Sequence, residues 1–256
     1  MDQRRIAVLN LLGIEQWQPR EADIPARATA ETPMAVAATV DPLISAMPLS
    51  IPTTQPLAAA RPVAAVDWNT LKAEVASCMR CKLCKTRTNT VFGIGNDAAD
   101  LMVVGEGPGA DEDASGEPFV GRAGKLLDEM LKSIDRARSR NVFIANVVKC
   151  RPPGNRDPEP EEVQACRSYL DQQIAHVKPR LIVALGRVAA QRLLGSDEPL
   201  ARLRGPLHRY GAAGTPVFVT YHPAYLLRSP KEKAKSWDDL KKVWQFLQAP
   251  PAPARA

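Results

Sequence analysis

The five cysteines are the residues best suited to bind a metal. Three of them, Cys78, Cys81 and Cys84, lie at two-residue spacing in the segment CMRCKLC, and Cys150 precedes Cys166 further along the chain. Thiolates at this spacing can point at one metal from a tight turn. Tetrahedral zinc and an iron–sulfur cluster use the same four thiolates, so the spacing leaves open which metal binds and which four cysteines hold it. Structural disulfides are disfavoured, because we recognise no export signal in the sequence.

A second candidate site is the glycine-rich segment GEGPGADEDASGEPFVG, residues 105–121, which follows the apolar run LMVV. A glycine-rich turn after a buried strand commonly binds phosphate through backbone amides. This segment carries four acidic residues in its first half: Glu106, Asp111, Glu112 and Asp113. Their negative charge would repel a phosphate, so the composition argues against phosphate as the ligand of this loop.

The elements around these residues indicate an α/β fold. Four short apolar runs, rich in β-branched residues, are predicted as buried strands: 101–104, 142–145, 181–185 and 217–221. Segments of helical periodicity separate them, which predicts a four-stranded parallel sheet covered on both faces. In such sheets the ligand lies beyond the carboxyl ends of the strands. We expect one site there, built from at least three of the loops that begin at Gly105, Asn146, Gly186 and His222.

The first 66 residues differ in composition from the rest. An Ala/Pro/Thr-rich tract over residues 20–66 is predicted to be a disordered linker, and its prolines and polar residues exclude a membrane span. Residues 1–66 hold five Arg and six Asp or Glu, so the chain's net charge of +6 leaves +7 on residues 67–256. A basic domain is typical of proteins that bind a polyanion such as nucleic acid, although many basic proteins bind none.

Three ordered motifs carry a resemblance to a known family. The segments GEGPGADED…GEPFVG, VFIANVVKCRPPGNR and VTYHPAYLLR resemble family 4 uracil-DNA glycosylases, and CMRCKL…RTNTVFGIGN and LRGPLHRY fit the same pattern. The resemblance covers about residues 68–248, and we place the domain at 67–248 with a disordered tail at 249–256. It implies a three-layer α/β/α fold, a 4Fe–4S cluster and hydrolysis of the N-glycosidic bond of deoxyuridine in DNA, which releases uracil. Since no lysine stands out as a Schiff-base nucleophile, we expect a monofunctional enzyme.

The resemblance also assigns the cluster ligands. By position they are Cys78, Cys81, Cys150 and Cys166, while Cys84 falls where the family requires no ligand. Hydrolysis of a glycosidic bond moves no electrons. We therefore expect the cluster to have a structural role beside the DNA path.

Four residues are assigned to the uracil pocket by the same resemblance. Phe119 is the stacking surface for the flipped base, and the Asn146 amide pairs with uracil O4 and N3. Cytosine presents the reversed donor and acceptor, so it would leave groups unpaired. Glu112 blocks the space beside C5 and so excludes thymine, and Gly105 belongs to the same pocket. The alternatives are a core Phe119, a capping Asn146 and a solvated Glu112.

The chemistry is assigned to the loops after the first and fourth predicted strands. His222 matches the residue that donates a hydrogen bond to uracil O2, where negative charge develops, and backbone amides around Glu106 and Gly107 assist. Family 4 has glycine at the position of Gly107, where other uracil glycosylases carry the group that activates water. Glu106 is our candidate for positioning the water. The alternative is a structural His222.

Residues after His222 are candidates for holding DNA. Tyr225, Leu226 and Leu227 could form an apolar wedge that fills the gap left by the flipped nucleotide, or begin a helix that packs on the core. Five basic residues are predicted around the same rim as phosphate contacts: Lys149, Arg151, Arg156, Arg204 and Arg228.

The first nineteen residues are predicted to form a short amphipathic helix. The pattern RR…LGI.QW is similar to the start of the psi subunit of the bacterial clamp loader, which docks on the chi subunit. We expect residues 1–20 either to bind a replication protein or to fold back on their own domain. The resulting expectation is a cytoplasmic, nucleoid-associated bacterial repair enzyme, monomeric and without membrane contact. The alternatives are a noncatalytic adaptor and a protein that traps uracil-DNA covalently.

Overall fold

A computed structural model describes residues 67–250 of the chain. Its centre is a sheet of six strands: β1 (Ile94–Gly95), β2 (Leu101–Gly105), β3 (Val142–Asn146), β4 (Leu181–Leu185), β5 (His208–Tyr210) and β6 (Thr215–Thr220). The spatial order is β1-β3-β2-β4-β6-β5. Strands β3, β2, β4 and β6 run parallel, and β1 and β5 pair antiparallel at the two edges.

Helices cover both faces of this sheet. The described α-helices are α1 (Trp68–Ala76), α2 (Ala110–Ser115), α3 (Arg122–Lys132), α4 (Pro160–Val177), α5 (Gly186–Leu194), α6 (Leu200–Leu203), α7 (Pro223–Arg228) and α8 (Lys233–Gln248). Short 3-10 turns lie at Lys82–Lys85, Pro153–Asn155 and Pro230–Glu232. One core lies between the sheet and α1, α4 and α5, and a second lies between the sheet and α3, α7 and α8. The three-layer α/β/α fold is therefore confirmed.

The composition of the central strands follows from this layering. Met102 and Val104 of β2 face one core, while Leu101 and Val103 face the other. Because successive side chains of a strand point to opposite faces, a strand covered on both sides must be apolar throughout. The four continuous apolar runs of the sequence correspond to the four parallel strands.

The sheet has two strands more than the sequence predicts. Strands β1 and β5 span two and three residues and lie at the edges of the sheet, where most of their residues are partly or fully exposed. Runs this short carry no clear hydrophobic alternation, so only their pairing with β3 and β6 identifies them. They leave the predicted parallel core of four strands unchanged.

The register of the sheet brings the predicted loops to one edge. Gly105 pairs with Asn146 at the ends of β2 and β3, and Leu185 pairs with Thr220 near the ends of β4 and β6. The loops that follow these strands therefore begin at the same level. This is the carboxyl edge, where open α/β sheets place their ligands.

Several predictions concern the ends of the chain. The predicted docking helix (1–19) and linker (20–66) lie outside the described residues, as do residues 251–256 of the predicted tail. Within residues 67–250, no helix combines the length and apolar character needed to cross a lipid bilayer.

Candidate active site

Side chains from three loops meet at the carboxyl edge of the sheet. A methyl group added at Gly105 would overlap Asn146 Oδ1 and lie 2.6 Å from Phe119 Cζ, so both side chains rest on this glycine. The Phe119 and His222 rings lie 5.5 Å apart between centroids. Gly186, at the start of α5, approaches His222 Cβ in the same way, at 3.0 Å from an added methyl group. Phe119 therefore lies close to both Asn146 and His222 at this edge, and a side chain at Gly105 would collide with Phe119 and Asn146.

Asn146 has an unsatisfied acceptor at this edge. The residue is 1 % exposed at the end of β3, and its Oδ1 atom has no hydrogen-bond partner. A buried polar atom without a partner costs free energy, so such atoms in folded proteins are commonly paired or serve a ligand. The amide also offers donors through Nδ2. Asn146 can thus pair with a ligand edge that has a donor beside an acceptor.

His222 has a defined tautomer. It is the N-cap of α7, and its Nδ1 accepts a hydrogen bond from the Ala224 backbone amide at 3.2 Å. The proton of the neutral ring therefore lies on Nε2. Burial, and secondarily the positive charge of Arg228, lower the pKa of His222 to about 4. At neutral pH the ring is an uncharged donor at Nε2.

Glu106 lies at the start of the loop after β2, beside two residues that the sequence does not identify as functional. Its half-buried carboxyl shares a hydrogen bond with Asp157, and Asp157 also pairs with the Arg187 guanidinium. Burial, and then the negative charge of Asp157, raise the pKa of Glu106 to about 7. This carboxyl can therefore gain or lose a proton at neutral pH. At Gly107 an added methyl group would lie 2.8 Å from Val148, so the backbone passes close to the neighbouring loop.

The Glu112 carboxylate is turned towards its own loop. It accepts hydrogen bonds from the backbone amides of Gly109 at 3.0 Å, Val120 at 3.0 Å and Gly121 at 3.2 Å. These bonds connect helix α2 to the segment that carries Phe119. Glu112 is not a solvated carboxylate, and its predicted role beside C5 of a base stays a prediction.

The predicted wedge needs a correction. Leu226 is 1 % exposed and belongs to the core under α3, α7 and α8, so it is not available to enter DNA. Helix α7 turns this side chain inward because Leu226 lies one turn after His222. Its neighbour Tyr225 is 37 % exposed and stacks on Tyr221 at 5.1 Å. Tyr225 and the partly exposed Leu227 are therefore the accessible side chains of the predicted wedge.

Three of the five predicted phosphate contacts are occupied within the protein. Lys149 is 1 % exposed and donates to the Asn146 carbonyl at 2.8 Å and to Gln173 at 2.6 Å. Arg156 pairs with Glu162, and Arg204 pairs with the buried Asp239 at 2.8 Å. Because Lys149 is buried, the prediction is wrong for this residue. For Arg156 and Arg204, which are paired but partly exposed, it stays a prediction.

The other two basic residues remain accessible. Arg228 is exposed at the end of α7, and the partly exposed Arg151 bonds to the exposed Asn155 side chain at 2.8 Å. Both lie on loops at the carboxyl edge of the sheet. They stay as predicted phosphate contacts.

All five cysteines line one cavity beside the sheet. Cys78, Cys81 and Cys84 come from the segment after α1, Cys150 from the loop after β3, and Cys166 from α4. None of the five forms a disulfide. Within residues 67–250 no group of three His, Cys, Asp or Glu side chains is arranged as a site for a single metal ion. The sequence-distant cysteines are nevertheless brought together.

Two effects act on the thiols of this cavity: burial raises the pKa values of three of them, and neighbouring cations favour the thiolate forms. Burial raises the pKa of Cys150 to about 11 and also raises the pKa values of Cys81 and Cys166. Arg87 donates to Cys150 Sγ at 3.1 Å, and Lys149 lines the same cavity. A bound metal centre would offset the cost of ionising buried thiols, because the thiolate is the form that binds metals.

Comparison with known proteins identifies the family of this chain. The sequence profile of the uracil DNA glycosylase superfamily matches residues 92–248. The chain is 47% identical over 179 residues to a type-4 uracil-DNA glycosylase of Archaeoglobus fulgidus, which covers 68% of this chain and 89% of that protein. It is 43% identical to the type-4 enzyme of Thermotoga maritima, over 68% of this chain and 91% of that protein.

A more distant relative shows where the likeness weakens. The type-5 uracil-DNA glycosylase of Pyrobaculum aerophilum is 33% identical over 151 residues, which cover 52% of this chain and 64% of that protein. The matched profile spans the pocket residues Gly105, Phe119, Asn146 and His222. The chain belongs to the uracil DNA glycosylase superfamily.

Proposed function

We propose that this protein is a type-4 uracil-DNA glycosylase of DNA repair. It takes deoxyuridine out of the DNA stack, hydrolyses the N-glycosidic bond and leaves an abasic site. The similarity to type-4 enzymes supports the activity. The observation that carries the assignment to a pocket is the unpaired, buried Asn146 Oδ1 close to Phe119, whose ring in turn neighbours His222.

Uracil recognition follows from the chemistry of Asn146. Asn146 Oδ1 accepts from uracil N3–H and Nδ2 donates to O4, while the base stacks on the Phe119 ring. Cytosine carries an acceptor at N3 and a donor at the 4-position, so it would leave two buried polar groups unpaired. Each such group costs about 1–3 kcal/mol. This penalty separates the two bases far better than an apolar fit does.

We propose that Glu112 and the loop that it fixes form a wall of the pocket, and that this wall excludes thymine. Thymine differs from uracil by one methyl group at C5, so only shape can exclude it. The three backbone hydrogen bonds of Glu112 fix its carboxylate and the adjoining loop. A fixed wall resists a methyl group better than a mobile side chain does.

Bond cleavage is proposed to depend on His222 and Glu106. As the C1′–N1 bond breaks, its electron pair moves to the uracil ring, and negative charge gathers at O2. The His222 Nε2–H donates to that oxygen as a neutral group, and the amides near Gly107 assist. The Glu106 carboxylate accepts a proton from the water whose oxygen bonds to C1′. The products are an abasic deoxyribose and the uracil anion, which becomes uracil by taking up a proton while Glu106 loses the one it accepted.

We also propose that Cys78, Cys81, Cys150 and Cys166 hold a 4Fe–4S cluster. The donor set supports this, because five thiols share a cavity with Arg87 and Lys149, whose positive charges favour thiolates. When bound, the cluster supplies covalent cross-links between three segments rather than redox chemistry. Cys150 and Lys149 follow Asn146 on one loop, so the cluster would steady the loop that carries the pocket amide.

Residues 1–20 are proposed to be a docking peptide for a replication protein, and the enzyme is proposed to act as a cytoplasmic monomer. The faint likeness of this segment to the clamp-loader psi subunit supports the first point. Deleting residues 1–66 should abolish capture of replication proteins from a bacterial extract. If every such interaction survives the deletion, the docking proposal is wrong.

The activity is tested with a single-stranded or duplex oligonucleotide that contains one uracil. Incubation followed by alkali should cleave the strand at uracil, because alkali breaks abasic sites. A matched thymine oligonucleotide should stay intact. A retarded, alkali-resistant band would instead indicate covalent trapping, and an intact oligonucleotide would indicate a noncatalytic adaptor.

A further inference from the structure

The backbone of Phe119 has an unusual conformation. Its φ angle is +56°, in the left-handed region that residues with a Cβ atom rarely adopt. A side chain in this region persists only when its surroundings hold it there, and such residues cluster at functional sites. The ring itself is 6 % exposed and lies against Gly105 and His222. Contacts from three neighbouring elements hold this peptide segment.

Arg138 binds the carbonyl groups on both sides of the Phe119 amide nitrogen. Its Nη1 donates to the Pro118 carbonyl oxygen at 2.7 Å, and its Nη2 donates to the Phe119 carbonyl oxygen. Its Nε donates to Asp128 Oδ1 on α3 at 2.5 Å, which fixes the guanidinium plane. The Arg138 side chain is 21% exposed, so these bonds are largely shielded from water.

Glu112 binds the same segment through its amides. Its Oε1 accepts from the Val120 and Gly121 nitrogens, and its Oε2 accepts from the Gly109 nitrogen. The backbone groups around Phe119 are thus held from two sides. The carbonyl groups accept hydrogen bonds from the Arg138 guanidinium, and the amides donate hydrogen bonds to the Glu112 carboxylate. Charged partners make the stronger hydrogen bonds.

Gly124 allows helix α3 to approach this segment. A methyl group at Gly124 would overlap the Phe119 carbonyl oxygen and lie 2.9 Å from Phe119 Cα. Any larger residue would push the helix away from the Phe119 backbone. The close approach also keeps Asp128 of α3 near Arg138.

We propose that Arg138 and Glu112 form a clamp that holds Phe119 in its left-handed conformation and so aims the ring at the flipped uracil. Both are positioning residues for the hydrolysis. Arg138 acts on the base only through Phe119, whereas Glu112 holds Phe119 in addition to its proposed role beside C5 of the base. The inference rests on the proposed uracil-DNA glycosylase activity. It assigns a function to Arg138, which contacts no other predicted site residue, and a second function to Glu112.

The first test compares two arginines of the same loop. Arg138→Gln removes the forked contact to the two carbonyls, and Arg138→Lys keeps the charge but loses the planar fork. Each should lower kcat/KM on a uracil oligonucleotide by about 100-fold, as small misplacements of a substrate-positioning group do. Arg136→Gln is the control, because Arg136 pairs with Asp100 and makes no contact with Phe119. It should change kcat/KM by no more than about twofold.

The decisive readout is a double-mutant cycle with Phe119→Ala. If Arg138 acts through the ring, the double variant should lose little more kcat/KM than Phe119→Ala alone. The combined loss in kcat/KM should then stay at about 100-fold. Multiplied losses of about 10,000-fold would overturn the proposal, as would an Arg138→Gln enzyme with wild-type kcat/KM. If Arg138→Gln does not fold, the same cycle with Glu112→Gln decides by the same criterion. An inactive wild-type protein would contradict the proposed function instead, so the two failures are distinguishable.

Discussion

Asn146 and His222 each contribute one defined hydrogen-bonding atom to the proposed pocket. Asn146 contributes the buried acceptor Oδ1, and His222 contributes a donor at Nε2 because its Nδ1 is bound to the Ala224 amide. A neutral base that carries a donor and acceptors on one ring can satisfy both atoms at once. A phosphate offers only acceptors, so it would leave Oδ1 unpaired.

Asn146→Ala tests this reading of the pocket. Removing the amide takes away two hydrogen bonds to the base, so the single-turnover rate of uracil release should fall by about 100-fold or more. Because Oδ1 has no partner in the protein, the melting temperature should stay within a few degrees of wild type. An unchanged rate would show that another group recognises the base.

The pH dependence of the reaction tests Glu106. Its pKa of about 7 means that the carboxyl is protonated below neutral pH and ionised above it. A base must be ionised, so kcat/KM should rise with pH through about 7 and then level off. His222, with its pKa near 4, should add no inflection between pH 5 and 9.

Two variants test whether the ionisation of Glu106 causes that inflection. Glu106→Gln should abolish it together with most of the activity. Asp157→Asn removes the negative neighbour that helps to raise the pKa of Glu106, so the inflection should move to lower pH. A wild-type profile in Glu106→Gln would exclude Glu106 as the base.

The basic residues show what a single sequence does not reveal at this scale. Lys149 and Arg204 look like surface cations, yet their partners Gln173 and Asp239 lie 24 and 35 residues away along the chain. The partner of Arg156, Glu162, is only six residues away but lies on the next helix. Arg138 carries no local signal either, since the Phe119 carbonyl that it binds is 19 residues away. Burial and pairing across the fold decide which charges are free.

At the scale of elements, helix α7 determines which side chains after His222 are buried and which are exposed. Pro223 occupies its first turn, where a missing N–H costs nothing, and His222 caps it. The helix then turns Leu226 into the core and Tyr225 to the surface. The sequence motif predicts the helix cap, but only the orientation of α7 on the core decides that Leu226 is buried and Tyr225 is exposed.

A matched pair of variants tests whether Leu226 supports the core while Tyr225 contacts DNA. Leu226→Ala should lower the free energy of unfolding by about 2–5 kcal/mol, because it leaves a cavity between α7 and α3. Tyr225→Ala should leave the stability within about 0.5 kcal/mol and should weaken binding to uracil-containing duplex. Chemical denaturation and a DNA-binding titration measure the two effects. A stable Leu226→Ala protein with poor DNA binding would restore Leu226 as the wedge.

The strands were the most predictable elements. A parallel strand covered on both faces needs an unbroken apolar run, and four such runs appear in the sequence with helical segments between them. The alternation also predicts that Gly105, Asn146 and His222 meet at one edge. Strands β1 and β5 escape prediction because tertiary pairing, rather than local pattern, makes them strands. Likewise, the left-handed Phe119 depends on contacts from α2, α3 and the loop after α3.

At the scale of the whole molecule, the cysteine cavity joins three segments of the chain. Cys150→Ser should abolish the broad visible absorption expected of anaerobically purified protein and should lower its melting temperature, because a bound cluster stabilises the fold that holds it. Cys84→Ser is the matched control, and both properties should survive it. A colourless wild-type protein that contains zinc would contradict the cluster assignment.

The central claim is that Phe119, Asn146 and His222 form one slot for a flipped uracil. A crystal structure of the protein with uracil-containing DNA, or with the released base, tests it most directly. The base should stack on Phe119, with N3 and O4 paired to the Asn146 amide and O2 bonded to His222 Nε2. A uracil bound elsewhere, or bound in this slot without contact to Asn146, would contradict the account.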